Sequence, residues 1–472
     1  MPDALVVGPD VLDEGAEVFY SPSRDFVHEH DARVLRETQP ERLTESVLRF
    51  QSVADTVWPD AHTDQNVLPT DAGWAALVSR ARSLGDEADR FRATLRRLRP
   101  GVACSDAPDW IEDEDNGTPL LSNCVFPHLG TLRQFAVLER VRLIESAMAG
   151  DADGAEAALA SLVRAVEHAS RPRSAISGVV AIRIGRIAAR STQAAISANP
   201  LALTAESLAR MREALSELRA FAAPDLSFER AQSADVVQRL FRNGRLHPGA
   251  FLVAVGKWGT EFDPADTIPG NVWMLLRFAD ADGALAVPNA VFDRFAELTV
   301  IPAWRRRGPS PMRLHRDLLT LHKQAWFLSG SANATLTKGT IPDLNVLLAE
   351  AVRLETELNA TLLFIELASV RTETGVFPDP GSAVAHDLLA RPEHVDPMSG
   401  AAFRYRLPRG RLELISTGTD RDRDETEPVI VSPVPSPRSP DVAYWSVLTA
   451  AGEVSALVPD GDWLVLSSPA ER

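Results

Sequence analysis

Apolar and polar positions along the middle of this chain follow a helical period. Val137, Val141, Ile144 and Met148 recur at i, i+4, i+7 and i+11, which places them along one face of an amphipathic helix. Gly150-Asp151 breaks the pattern, and Leu159, Leu162, Val163 and Val166 mark the apolar face of a second helix. Arg171-Pro172 punctuates again before Ile176, Val180, Ile184 and Ile187 line a third. Pro200 ends that helix, since proline removes a donor and restricts the residue before it. Thr204 is placed as an N-cap for a fourth helix with Leu208, Met211, Leu215 and Leu218 on one face. A further helix after Pro224 is expected to stop at Asn243-Gly244. Short connections between helices favour antiparallel neighbours, so 128–244 reads as a helical bundle or short α-solenoid.

Flanking segments carry the same period less regularly. Helices are expected over 41–56 and 70–98, the second ending at Arg99-Pro100, and 100–127 reads as a long loop around the acidic run DWIEDEDNG. The region 245–341 is rich in aromatics (Trp258, Phe262, Trp273, Phe278, Phe292, Phe295, Trp304), with helices expected near 271–279, 288–300 and 311–328. A long helix is predicted from about Pro342 to Val370, with Pro342 in its first turn. Beyond Gly375 the period changes to two. Phe403–Arg406 and Leu412–Ile415 alternate around Pro408-Arg409-Gly410, the pattern of a β-hairpin. The stretch 427–441 reads as a Pro-rich extended linker, and 442–472 as a short β-like appendage with strands at 442–449 and 463–467. The chain thus divides into a mixed helical segment over 1–127, a bundle over 128–244, an aromatic-rich helical region over 245–341, and a long helix with hairpin over 342–426.

Composition narrows the functional classes. A net charge of −16 over 472 residues argues against sequence-independent nucleic-acid binding, which depends on neutralising phosphates. It equally disfavours docking on an anionic membrane surface. Lysine occurs only at Lys257, Lys323 and Lys338, so arginine supplies nearly all of the positive charge. The N-terminal stretch MPDALVVGPDVLDEG has no basic n-region and no apolar core, so no signal peptide is expected and the sequence alone reads as cytoplasmic. No apolar run reaches the ~18 residues of a transmembrane helix. Cys104 and Cys124 bracket a loop and allow either one disulfide or two free thiols, according to compartment.

Local signatures of chemistry are sparse. The loop Glu112–Gly117 fails as an EF-hand, because Glu112 stands where Asp is needed and Asn123 where a bidentate Glu is needed. His28-Glu29-His30-Asp31 lacks a third ligand nearby and reads as a surface loop. His315 and His322 lie about 10 Å apart along a helix, too far to hold one ion directly. Arg305-Arg306-Arg307 reads as a solvated loop, and the aromatic cluster as core filling. Nucleophile and phosphate-cradling motifs are absent. Asp420, Asp422 and Asp424 alternate after the hairpin, a spacing that lets carboxylates converge on a hard cation such as calcium, although interleaved arginines compete for them.

One resemblance has specific residues behind it. Gly375-Val376-Phe377-Pro378, then Asp396-Pro397-Met398-Ser399-Gly400 with Phe403 and Tyr405, then Leu412, Leu414, Ser416, Gly418 and Asp420, follow in order behind the long helix. This arrangement resembles the tail of type II secretion major pseudopilins. It is closer still to the ends of a broad set of bacterial proteins of unassigned function, common in planctomycetes. The helix–GD–helix stretch and Phe228-Glu229-Arg230 resemble the same set, so the likeness covers nearly half of the chain. It implies a small pseudopilin-like α+β tail, a calcium ion after the strand, and a location at the cell envelope. The chain departs from it in carrying no apolar anchor helix at its N-terminus. The resulting expectation is a mostly α protein, a multi-helix bundle with a pseudopilin-like tail, acting as a non-enzymatic scaffold that binds protein partners. The competing expectation is an enzyme with its site between the bundle and 245–340, and a third is a calcium-stabilised assembly module.

Overall fold

The computed structural model describes residues 43–58, 73–98, 128–171, 173–199, 202–242, 245–246, 281–324, 341–408, 412–416 and 463–467. These form α1 (Leu43–Val57), α2 (Trp74–Ser83), α3 (Gly85–Arg97), α4 (His128–Ala149), α5 (Ala152–Ser170), α6 (Ala175–Ala198), α7 (Ala205–Glu217) and α8 (Ser227–Leu240). A two-stranded ribbon, β1 (Phe241–Arg242) and β2 (Arg245–Leu246), follows. Then come α9 (Ala281–Val300), α10 (Pro311–Gln324), α11 (Leu344–Thr374), α12 (Ala383–Ala390), β3 (Arg404–Arg406), β4 (Glu413–Ser416) and β5 (Trp463–Ser467). The protein is mostly α, as the periodicity predicts.

Helices α4, α5 and α6 pack on one another, and the 31-residue α11 lies against α6 and α7. Polar caps start these helices where the sequence supplies them. The side chain of Asp151 accepts from Gly154 N–H, Ser174 and Ser177 form a capping box, and Thr204 accepts from Ser207 N–H. One continuous core runs from Val47 to Leu414. At its N-terminal end Phe50 of α1 stacks on Phe91 of α3 at 5.0 Å, and Phe135 of α4 meets both edge-on. Such aromatic contacts add about 1 kcal/mol each beyond the area they bury.

Close approach of α6 to α11 depends on glycine. A Cβ on Gly185 would stand 3.1 Å from Leu354 Cδ1 of α11, and one on Gly178 would stand 3.4 Å from Leu347 Cδ1 of α11 as well as 3.0 Å from Pro224 Cβ. These small positions let the backbone of α6 sit close enough for side chains to cross between the helices.

Several expectations shift in detail. The 70–98 helix is two helices, α2 and α3, divided at Leu84. Met148 and Ile176, both placed on buried faces by spacing, are exposed, because each sits at a helix end beyond the reach of its neighbours. Helix α9 begins at Ala281 and contains Pro288, whereas the sequence pattern predicts a helix near 288–300. Asp343 caps α11 through Asn345 N–H, so Pro342 precedes the helix instead of occupying its first turn. The hairpin β3–β4 is antiparallel, pairing Tyr405 with Leu414, and β5 adds to the free edge of β4 with an irregularity between Leu414 and Ile415. No helix among the described residues is long and apolar enough to cross a membrane.

Candidate functional site

Helix α11 is the polar spine of the interior. It carries Glu350 and Glu357 seven residues apart on one face, and Glu355, Asn359 and Glu366 on another. These acidic positions meet arginines from α6, α7, the 303–306 segment and the 391 turn, and from α11 itself.

On the first face, Arg186 of α6 donates from Nη1 to Glu350 at 2.6 Å and from Nη2 to Glu357 at 3.0 Å. Arg190, one turn on, donates to Glu357 at 2.6 Å, and Arg353 to Glu350 at 2.9 Å. Gln193 extends the seam to Thr361 at 2.7 Å. Burial alone would raise the carboxyl of Glu357, but the charges of Arg186 and Arg190 and their hydrogen bonds outweigh it and hold the group down at about 2. The Arg186 guanidinium is correspondingly held above its ordinary range.

On the second face lies a less balanced group. Burial raises the carboxyl of Glu355, against the charges of Arg306 and Arg219. Arg306 is buried, not solvated as its run of three arginines suggests, and burial pushes it down to about 10. Its Nε donates to Ile301 carbonyl at 2.9 Å, while Nη1 has no hydrogen-bond partner. Arg219 donates to Asn359 Oδ1 at 2.9 Å and to the Glu393 carbonyl at 2.6 Å, and Asn359 donates to the Val395 carbonyl at 2.8 Å. This places the turn 392–395 against α11.

Further along α11, Glu366 accepts from Arg391 at 2.5 Å, forms an ion pair with Arg212 at 2.8 Å without a hydrogen bond from its Nε, and has His394 Nε2 3.5 Å from its Oε1. Burial opposes ionisation of Glu366, and the His394 ring beside it together with the charges of Arg212 and Arg391 outweighs burial, so its carboxyl is held below the usual range.

The motif residues of the tail form a fourth group. Asp396, fully buried, accepts from the amides of Met398 and Ser399 and from the hydroxyls of Ser399 at 2.6 Å and Ser416 at 2.7 Å. Gly375 ends α11 with φ 83°, a left-handed conformation that glycine adopts without a Cβ penalty. Phe377 packs 6.3 Å from Phe364 and lies under the Arg371 guanidinium, and the Tyr405 hydroxyl donates to the Pro378 carbonyl at 2.8 Å. Phe228-Glu229-Arg230 is equally engaged. Phe228 enters the core, Glu229 accepts from the Ala175 N–H at the start of α6, and Arg230 pairs with Asp293 of α9 at 2.5 Å.

Asp420, Asp422 and Asp424, Cys104 and Cys124, His28 and His30, the 112–117 loop, and Trp258, Phe262, Trp273 and Phe278 lie outside the described residues. Phe292 and Phe295 are core residues of α9, and His315 is buried. What the sequence did not reveal is the arginine–glutamate pairing across 164 to 171 residues, because no local spacing links α6 to α11. The available signal was the presence of charged residues inside otherwise apolar helices.

The fold and these sites define a helical-bundle protein with a long charged central helix and a small sheet packed at its C-terminal end. No family model matches this chain, and comparison with curated proteins and with solved structures finds no match.

Proposed function

We propose that this chain is a non-enzymatic scaffold that binds protein partners at the bacterial cell envelope, with a tail built on the plan of the major pseudopilins. The observation that carries this reading is the use made of the motif residues. Asp396, Ser399, Ser416 and Tyr405, which carry the resemblance, direct their polar side-chain atoms to bonds inside the tail. Residues that carry out chemistry leave reactive atoms facing a cleft, whereas these close on one another. Crosslinking in the cells that make the protein, followed by capture and mass spectrometry, tests it. Envelope or secretion components recovered in stoichiometric amount support the scaffold, and a protein recovered alone and monodisperse removes it.

A second reading has its own observation. Glu355, Arg306 and Arg219 are three ionisable groups, all displaced by burial, gathered where the 303–306 segment approaches α11. Displaced groups of this kind favour an enzyme with a site between the bundle and 245–340. Loss of a turnover, once one is found in a substrate screen, on Glu355→Gln with unchanged folding distinguishes this reading from the scaffold.

A further inference from the structure

We propose that Glu366, Glu393 and His394 form a site for a first-row divalent transition-metal ion of the zinc class, fastening the 392–394 turn to α11. One candidate ligand atom from each residue lies within 4.8 Å of the others. His394 is completely buried, and its Nδ1 is 2.7 Å from the Leu388 carbonyl. A carbonyl only accepts, so Nδ1 carries the hydrogen, and in the neutral ring Nε2 holds a lone pair. That Nε2 has no hydrogen-bond partner, and it is aimed at Glu366 Oε1, 3.5 Å away. Metal-bound histidines are oriented in this way, one ring nitrogen fixed by a backbone carbonyl and the other left for the ion. Ligands about 2.1 Å from a tetrahedral ion stand about 3.4 Å apart, close to the observed separation.

The surrounding arginines set the conditions for binding. Arg391 bonds Glu366 through Oε2 and so leaves Oε1 to the ion. Arg212 Nε stands 2.8 Å from Oε1 but is not aligned for a hydrogen bond, and its side chain is 41% exposed. It can swing into solvent as the ion enters, carrying with it the longer 3.5 Å contact to Glu393. The backbone carbonyl of Glu393 stays bound to Arg219, so the turn is already held in place before binding. One nitrogen and two carboxylates suit zinc, cobalt or nickel better than calcium, which takes six to eight oxygens. The half-exposed carboxylate of Glu393 leaves room for water as a fourth ligand.

The test uses the full untagged chain, stripped with chelator and titrated with zinc by calorimetry, with cobalt absorption as a second readout. Wild type is expected to take up one zinc in the presence of excess calcium. Glu393→Gln, whose side chain is partly exposed and makes only the long 3.5 Å contact to Arg212, is expected to lower zinc affinity at least about tenfold and to abolish the cobalt signal. Arg212→Gln, which removes a competing cation, should leave affinity equal or raise it. His394→Gln is informative only alongside a matching circular-dichroism melt, since the residue is buried. No zinc uptake by wild type, or uptake unchanged in both Glu393→Gln and a folded His394→Gln, overturns the proposal.

Discussion

Arg186 and Glu357 face each other across the packed surfaces of α6 and α11, Nη2 to Oε1 at 3.0 Å, with Glu357 almost wholly removed from solvent. Glu357 balances two guanidiniums, so removing it leaves Arg186 with only Glu350 and Arg190 with no carboxylate at that position. Glu357→Ala is expected to cost about 3–5 kcal/mol, read by chemical denaturation. Because a buried pair need not stabilise relative to apolar groups, Arg186→Met with Glu357→Leu should recover at least about half of that loss. A double variant as unstable as Glu357→Ala would show that the pair itself, not its imbalance, holds the helices.

The same carboxylate gives the fold an acid-sensitive seam. Its folded value of about 2 lies below the ordinary 4.5, so the unfolded chain binds more protons between these values. Its contribution is present above pH 4.5 and lost as pH falls towards 2, about 3 kcal/mol in all. Stability measured from pH 5 to pH 2 should fall more steeply for wild type than for the Arg186→Met/Glu357→Leu double variant.

Glu229 works in the opposite direction. Burial raises its carboxyl to about 8, against the help of the Ala175 amide, and its Oε2 has no hydrogen-bond partner. The folded chain therefore holds a proton that the unfolded chain has released, and this group lowers stability as pH rises from 4.5 to 8. Glu229→Gln keeps an acceptor for Ala175 N–H and cannot ionise. Urea denaturation across pH 5–8.5 should show a flatter profile for the variant, and equal slopes would mean that Glu229 is charged in the fold.

Much of this architecture is legible in the sequence, and the reasons differ by element. The bundle helices are marked by apolar spacing and by the Thr204 cap, which acts within a few residues of itself, whereas the Ser174 capping box appears only in the fold. The β3–β4 hairpin is marked by period two, and the 463–467 strand by a short apolar run. Buried charge is a different matter. Arg183, Arg186 and Arg190 look alike as positive residues of one helix, and only the arrival of α11 decides that Arg186 is paired with Glu350 and Glu357. Arg306 stands in a run of arginines that reads as a solvated loop, yet the backbone of 303–306 turns it inward. The free Nε2 of His394 was equally hidden, since its setting comes from α11 and α12 together.

Gly185 offers a test of how tightly α6 must sit on α11. In a free helix Gly185→Ala would gain about 1 kcal/mol from propensity. Here the added Cβ meets Leu354 Cδ1 at 3.1 Å and Cδ2 at 3.3 Å, so Leu354 has to yield by a few tenths of an ångström. Gly185→Val cannot be relieved in that way and is expected to cost about 1–3 kcal/mol through overpacking. A melting temperature unchanged in Gly185→Val would show that the two helices are less closely packed than this contact requires. Combining it with Leu354→Ala should restore part of the loss, since the smaller side chain vacates the space.

Asp396 tests whether the tail motif is architecture. Its carboxylate gathers two backbone amides and two hydroxyls into one buried point, joining the 396–400 turn to β4 through Ser416. Burial raises its carboxyl, and the four donors counter that, so the group depends on all of its partners. Asp396→Ala would leave these donors without an acceptor and is expected to cost about 2–4 kcal/mol. Asp396→Asn should be milder, because a serine hydroxyl can turn to accept from the new amide. The loss should also be local. Hydrogen exchange is expected to quicken at Met398, Ser399 and the β3–β4 amides, while α4, α5 and α6 keep their protection, because their packing does not pass through the turn. Uniform loss of protection would instead make Asp396 a keystone of the whole core, and no loss at all would release the motif from its structural role and return it to the search for chemistry.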